Sequence, residues 1–484
     1  MNRTDALNLA DGYVVVVQQE CETCVEIAPV LIDLANRDHP VTIVSQDNPD
    51  FLDGLDVIDD TDLEKSWRLD IEVTPTLIRI VDGEPAERLV GWDRTNWESF
   101  LGVTELALGP PDYRPGCGSL TNLPGEPERL MSKYGEAPLL RSRRLTLGSS
   151  QDLHEAMFDR GWTDGLPVVP PTPLRVERML AATQLHPSHE VVVMPPDLQP
   201  CTVEKIAINA VMAGCLPEYL PVVLAAVKGV ASDEFNIHGV SATTWNSGPI
   251  VVVNGPIAEQ IGMNSGFNVF GPGNRANATI GRAVNLIIRN VGGARPGEID
   301  RSMQGHPSKF TMAFAEREHD SPWESLACER GVEPASSAVT LFAGQGPAPF
   351  ADQASRSADS LARSLAACLK VVRHPKLGGR VAAIVAISPE HGKVFAASGW
   401  SKDRLRSELV ELLTFPGDEM VQGVGGIAEG MSLEVAGSLV QKFKPENLWF
   451  VHAGNTAGLF SGIISGWVAG DRGSQMVTVP IEVD

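Results

Sequence analysis

The feature that most constrains this chain is the passage from Tyr13-Val14-Val15-Val16-Val17 into Cys21-Glu22-Thr23-Cys24. A β-branched run of this kind predicts a buried strand. Within four residues it reaches the C-x-x-C pair, and an apolar-periodic segment follows, so the cysteines fall at a helix N-terminus. Neighbouring turns bring the two sulfurs within bonding distance. The helix dipole and its free N–H groups favour thiolate over thiol at the first of them. Cys21 is therefore the expected attacking thiol and Cys24 the resolving one.

Length and charge bound what else the chain can be. With 484 residues it exceeds one ordinary core, so two or three domains are expected. Acidic residues outnumber basic ones 61 to 39, and the resulting charge of −22 repels phosphate backbones, which argues against nucleic acid as a partner. Met1-Asn2-Arg3-Thr4-Asp5 carries no basic region ahead of an apolar run, and no uncharged stretch is long enough to span a bilayer, so neither secretion nor membrane insertion is expected. Seven cysteines with one close pair do not form a disulfide framework, which points to a reducing, cytoplasmic setting.

After the dithiol helix, Pro40 to Ser45 reads as a second strand and Leu63 to Leu69 as a short helix. Val73-Thr74-Pro75 then leads into the alternating run Thr76 to Val81, the turn Asp82-Gly83, a strand from Arg88 to Val90 and a helix from Asn96 to Leu101. The C-x-x-C, Pro29 as a kink, Thr74-Pro75 and the Asp82-Gly83 hairpin, in this order, resemble thioredoxin. The resemblance covers residues 1–102 and implies a thioredoxin-like domain in which Pro75 is cis and faces the dithiol, presenting backbone to an extended thiol partner. It also implies a redox-active disulfide and an external reductant, such as a partner similar to thioredoxin reductase.

Three positions depart from that family. Glu20 stands where a tryptophan is usual, Glu22-Thr23 replaces Gly-Pro, and Val15 replaces a buried aspartate. The two carboxylates are expected to raise the Cys21 pKa by opposing the thiolate charge, and the altered surface points to a dedicated partner.

Residues 103–144, with Gly109-Pro110-Pro111 and Pro124-Gly125-Glu126-Pro127, read as an ordered Pro/Gly-rich linker. Within it, Cys117 lies between glycines and near Arg114, which would stabilise a thiolate, so it is a candidate relay thiol alongside the reading as an ordinary loop cysteine. Cys117-Gly118-Ser119 is similar to the start of the motif that names the UGSC (seleno)proteins, with Leu120 in place of the second cysteine.

The remainder is expected to be an α/β region of one or two subdomains, 145–335 and 336–484. A rigid Pro-bounded loop holds Trp162, Thr163 and Asp164, and Thr202 is the expected cap of a helix burying Val203, Ile206, Ala207, Ala210 and Val211, with Glu204 and Asn209 off that face. Cys215, at the end of that helix, reads as packed and inert. Apolar strands at Ile250 to Val253, Ala382 to Ile387 and Leu448 to Val451 each end in a polar turn, as in doubly wound parallel sheets. Ligands gather at the carboxyl ends of such strands, which nominates Asn254, Glu390, His391, His452 and Asn455. Asn264, Asn268, Asn274 and Arg275, in a Gly/Asn-rich stretch before a helix, form a candidate anion cradle or a long turn structure. His306, Glu316, His319 and Glu324 offer general acid/base groups or metal ligands, although their spacing matches no metal signature. The segments Gly161 to Thr172, Ser388-Pro389-Glu390-His391 and Ser461 to Ser474 resemble the large domain associated with UGSC (seleno)proteins and thioredoxin fusions, which implies a thiol- or selenol-based redox setting and no particular catalytic residues.

The expected function is an oxidoreductase in which the Cys21/Cys24 dithiol exchanges electrons, directly or through Cys117, with a small anionic substrate at the larger domain, for instance in a reductive cleavage. The alternatives are a non-redox lyase or hydrolase using His306, Glu316 and His319, with the thioredoxin-like fold as a docking module, and a binding protein without turnover. No cofactor beyond the disulfide is implied, and a homo-oligomer is compatible with everything above.

Overall fold

The computed structural model describes residues 9–37, 41–134, 140–145, 152–423 and 430–482. The readings placed on Met1–Asp5 and on Pro40 lie outside these residues. The chain divides into two compact units, residues 1–138 with 172–174, and residues 139–171 with 175–484. Both mix helices with sheets, so the fold class is α/β. Among the described residues, no helix is long and apolar enough to cross a membrane.

In the first unit, β1 (Gly12–Val17), α1 (Glu22–Glu26), α2 (Ala28–Ala35), β2 (Thr42–Ser45), β3 (Val57–Asp59), α3 (Glu64–Arg68), β4 (Val73–Thr74), β5 (Thr76–Val81), β6 (Glu84–Val90), β7 (Trp92–Asp93) and α4 (Arg94–Leu101) follow in order. Strands β3, β2 and β1 are parallel, and β5 and β6 continue the sheet antiparallel, giving the order β3-β2-β1-β5-β6. The helix after the dithiol breaks at Ile27, just before Pro29, which has no N–H to give. The Thr74–Pro75 peptide is cis. Trp92 and Trp97 are fully buried and meet edge to face at 5.0 Å, with Trp97 Nε1 donating to Gly91 O, so the aromatic area is buried without stranding its donor.

The linker expectation is corrected. Residues 103–134 belong to this unit, because β8 (Tyr113–Arg114) pairs with β7 and β9 (Cys117–Gly118) pairs with β4, and α5 (Glu126–Tyr134) follows. Gly116 makes this possible. It has φ +87°, and a Cβ there would lie 2.7 Å from Thr74 O and 2.8 Å from Val73 Cγ1.

In the rest of the chain come α6 (Leu153–Asp159), α7 (Pro173–Leu180), the hairpin β10 (Glu190–Met194) and β11 (Gln199–Thr202), α8 (Val203–Ala213), α9 (Leu220–Val230), α10 (Ile237–Ala242), β12 (Gly248–Asn254), α11 (Pro256–Gln260), α12 (Arg275–Asn290) and β13 (Ala313–Ala315). Then follow α13 (Leu326–Glu329), β14 (Ala338–Ala351), α14 (Ala358–Lys370), β15 (Val381–Ile387), α15 (Pro389–Ala397), α16 (Lys402–Leu412), β16 (Thr414–Pro416), α17 (Gly417–Met420), β17 (Leu439–Gln441), β18 (Phe443–His452), β19 (Phe460–Val468) and β20 (Val477–Pro480).

One seven-stranded sheet, in the order β13-β12-β14-β19-β15-β18 with β20 beside β14, draws strands from both sides of residue 335. The proposed subdomain boundary there is therefore overturned. The sheet is not doubly wound and parallel either, since only β12–β13 and β15–β18 are parallel. Arg317 N, just after β13, donates to His452 O at the end of β18 at 2.7 Å, so the ends of the two outer strands are linked. Ile250, Val252, Phe314, Phe342, Ile384, Val451 and Ile464 pack on one face. Val251 and Val253 on the opposite face pack with α8, α9 and α12, while Val385 and Phe450 pack with α14 and α16. Strands buried on both faces read as unbroken apolar runs, which is why β12 and β15 were legible in the sequence.

Thr202 caps α8, accepting from Lys205 N. Glu204 and Asn209, expected off the buried face, are buried. Glu204 accepts from Arg141 N and Ser142 N, and Asn209 Oδ1 accepts from Asn290 Nδ2.

Candidate active site

Cys21 is the N-cap of α1. Its Sγ accepts from Cys24 N at 3.3 Å, a position at which a sulfur bearing negative charge satisfies one of the open N–H groups of the first turn. The same sulfur lies 3.3 Å from Thr74 O, in the strand before cis Pro75. Cys21 and Cys24 are fully buried, while Cys117 is half-buried.

The third cysteine reaches this centre through β9. Cys117 pairs with Thr74, and its flanks are pinned. Gln18 Nε2 donates to Gly118 O at 3.2 Å, Gln46 Nε2 to Ser119 Oγ at 2.8 Å, and Ser119 N to Glu72 O at 2.9 Å. The segment 117–119 thus lies where the strand before Pro75 presents its backbone.

The three thiols differ in acidity. Cys21 is lowered to about 5, first by the hydrogen bond from the Cys24 thiol, against the cost of burial, and further by those from the Cys117 thiol and Cys24 N–H. Cys24 is raised well above the usual thiol range by burial and by donating to Cys21. Cys117 is raised by burial and by its hydrogen bond to Cys21, with the Glu22 and Thr23 N–H groups opposing. The expectation that Glu20 and Glu22 would raise Cys21 is corrected. Both carboxylates are exposed, where water screens them, and short hydrogen bonds to the sulfur outweigh them. Arg114 does not serve Cys117, since its guanidinium is held by Glu26 at 2.6 and 2.9 Å.

Comparison of the chain with protein-family models, curated proteins and solved structures gives no match. The site therefore stands on its own geometry.

In the second unit the nominated residues fall into separate places. Asn254, Glu316 and His452 do meet. Glu316 is wholly buried and accepts from Asn254 Nδ2 at 2.7 Å, Leu326 N at 2.7 Å and His452 N at 3.2 Å, with Lys402 Nζ at 4.0 Å. Burial raises its pKa against the pull of Lys402. These bonds tie the ends of β12 and β18 to the segment after β13, so Glu316 fastens these strand ends together. His319 is exposed beside Asp320, and His306 lies elsewhere with Nδ1 accepting from Ser308 N and Gly346 N. Among the described residues no hydrogen bond joins His306, Glu316 and His319 into one acid/base set. Glu324 also carries no hydrogen bond to them.

The cradle reading for the Gly/Asn stretch is also replaced. Asn264 bonds Gly266 N and Phe267 O, Asn268 bonds Pro272 O, Asn274 caps α12 and bonds Gly262 O, and Arg275 donates to Gly214 O. The amides brace their own loop, as Asn side chains in turns do.

His391 donates from Nε2 to Asp352 O and accepts at Nδ1 from Ser461, which lies in β19. Glu390 pairs with Lys393 on the surface, and Asn455 is half-buried in the turn after β18. Cys201 and Cys215 are buried and pushed up to about 12, so they are poor nucleophiles. Among the described residues no cluster of three or more His, Cys, Asp or Glu is arranged to hold a metal.

The sequence did not identify Gln18 or Gln46 as supports of Cys117. The signal available was the glycine before the cysteine, which marks a close backbone approach.

Proposed function

We propose that the chain is a thiol–disulfide oxidoreductase whose first unit is a thioredoxin-like redox centre with three working cysteines, Cys21, Cys24 and Cys117. The observation that supports this reading is that Cys21 Sγ accepts from Cys24 N at 3.3 Å and lies 3.3 Å from O of Thr74, the residue with which Cys117 pairs, with the Cys21 pKa lowered to about 5. At neutral pH Cys21 is then a thiolate, and Cys24 and Cys117 carry the protons.

Oxidation joins Cys21 to Cys24, and two electrons and the single proton of the Cys24 thiol pass to the acceptor, Cys21 being already a thiolate. Exchange follows without further redox change. The Cys117 thiolate attacks Cys21 Sγ, the Cys21–Cys24 bond breaks, and Cys24 leaves as a thiolate that takes up the proton. Cys117, the most exposed of the three, hands the disulfide on, and an external dithiol restores the thiols. The acceptor in this reading is a small anionic substrate of the larger unit.

Trapping tests it. After mild oxidation, rapid alkylation and peptide mapping by mass spectrometry are expected to find Cys21 joined to Cys24 and to Cys117. Cys24→Ser should accumulate the Cys21–Cys117 bond, and Cys21→Ser should form neither. Turnover should depend on dithiothreitol and vanish in Cys21→Ser. Thiols inert to mild oxidants would remove the reading.

A further inference from the structure

The second unit contains a cavity of about 500 Å³ between α10, the start of β12, α12 and the segment from Pro296 to Phe310. Its volume is in the range that takes a small organic molecule. Its walls include Ile237, Val240 and Ile288, each nearly fully buried.

Of the charged groups lining it, Arg289 forms no ion pair among the described residues, with Asp164 and Glu298 acting on it only at longer range and Arg295 opposing them. Asp164 is held by Arg282 through two bonds of 2.9 and 2.8 Å, and Asp300 is held by Lys309 at 2.8 Å. Arg289 has no such partner. Among the described residues no carboxylate lies within ion-pair distance of it, its one hydrogen bond is a long contact of 3.5 Å to Gly161 O, and its buried Nε has no acceptor. Two further polar groups line the same cavity. Ser247 is 1% exposed, and its hydroxyl has no hydrogen-bond partner. His306 accepts at Nδ1 from Ser308 N and Gly346 N, so the neutral ring carries its proton on Nε2 as a donor. Gly346 is needed for this, because a Cβ there would strike the imidazole.

We propose that this cavity binds a small monocarboxylate with an apolar body, its carboxylate taken by Arg289. A half-buried guanidinium without a counter-ion is unfavourable until an anion joins it, and its planar fork matches a carboxylate with two parallel hydrogen bonds. A single guanidinium without an ion pair, with the Asp164 and Glu298 carboxylates at longer range, selects a monoanion over a phosphate dianion, and the aliphatic walls select the body. This names the substrate class for the redox reading above, yet it stands on the cavity alone and is tested by binding without turnover.

The test is isothermal titration calorimetry on the full chain with a panel of short aliphatic and aromatic monocarboxylates, their neutral amides, and inorganic phosphate. At least one acid should bind saturably, and its amide at least about tenfold more weakly, as expected for loss of a charge-assisted pair. Arg289→Gln should lose that acid's affinity by a similar factor while its thermal melt stays near that of the parent, and Arg289→Lys should recover part of it. Ser247→Ala should weaken binding a few-fold. Cys21→Ser should bind as the parent does, which separates failure of the cavity from failure of the dithiol. Absence of saturable binding by every acid, equal binding of acid and amide, preference for phosphate, or unchanged affinity in Arg289→Gln would each overturn the proposal.

Discussion

Cys21, Cys24 and Cys117 show how three identical side chains take different roles from their surroundings. Cys21 Sγ accepts from Cys24 N–H at 3.3 Å, and this bond with the neighbouring thiols holds its pKa down to about 5. Ultraviolet thiolate absorbance of the reduced protein should therefore rise with a midpoint at about 5, and Cys117→Ser should move that midpoint upward. The linkage has a definite sign. The folded value lies below the ordinary value of 9.0, so the stabilisation is fully present above pH 9 and is lost as pH falls through about 5. Reduced protein should accordingly lose melting temperature over that window more steeply than the Cys21→Ser variant. Glu316 has the opposite sign. Its folded pKa is raised above 4.5, so its contribution is complete below that value and declines as pH rises through the folded one. Removing it strands Asn254 Nδ2, Leu326 N, His452 N and Lys402, so Glu316→Ala should cost about 3–5 kcal/mol in denaturant unfolding.

At the scale of elements, the two-residue pairing of β9 with β4 does more for the proposed chemistry than any long strand, because it sets Cys117 against the dithiol. Gly116→Ala puts a methyl group against Thr74 O and Val73 in a backbone conformation that L-residues avoid. The variant should keep the Cys21–Cys24 disulfide but lose most of the Cys21–Cys117 species in trapping, with a stability cost of about 1–3 kcal/mol. Were both disulfides equally abundant, β9 would not be what positions the relay. The strands β14 and β19 explain why half of the large sheet escaped sequence reading. Gly344, Gly346, Pro347 and Pro349 interrupt β14, and Gly462 and Gly466 interrupt β19, so both look like loops until their neighbours supply the ladder bonds.

For the molecule as a whole, each unit has a hydrophobic core of its own, one around Trp92 and Trp97 and the other on both faces of the seven-stranded sheet. Calorimetry should resolve two unfolding transitions, with Trp97→Ala lowering one and Glu316→Ala the other; a single transition shifted by both would show one cooperative unit. The sequence by itself determined the α/β class, the helix-capping dithiol, the strands β1, β5, β12 and β15 and the packed state of Cys215, because each depends on near neighbours along the chain: period, spacing, capping and turn residues. Only the tertiary structure decided that residues 103–134 belong to the first unit, that Cys117 pairs with Thr74 beside the dithiol, that the Asn-rich loop bonds to itself, that Glu316 ties the ends of β12 and β18, and that Arg289 forms no ion pair among the described residues. Those facts turn on which distant groups meet in space and on the hydrogen bonds and charges they complete there, and local pattern carries no record of such meetings.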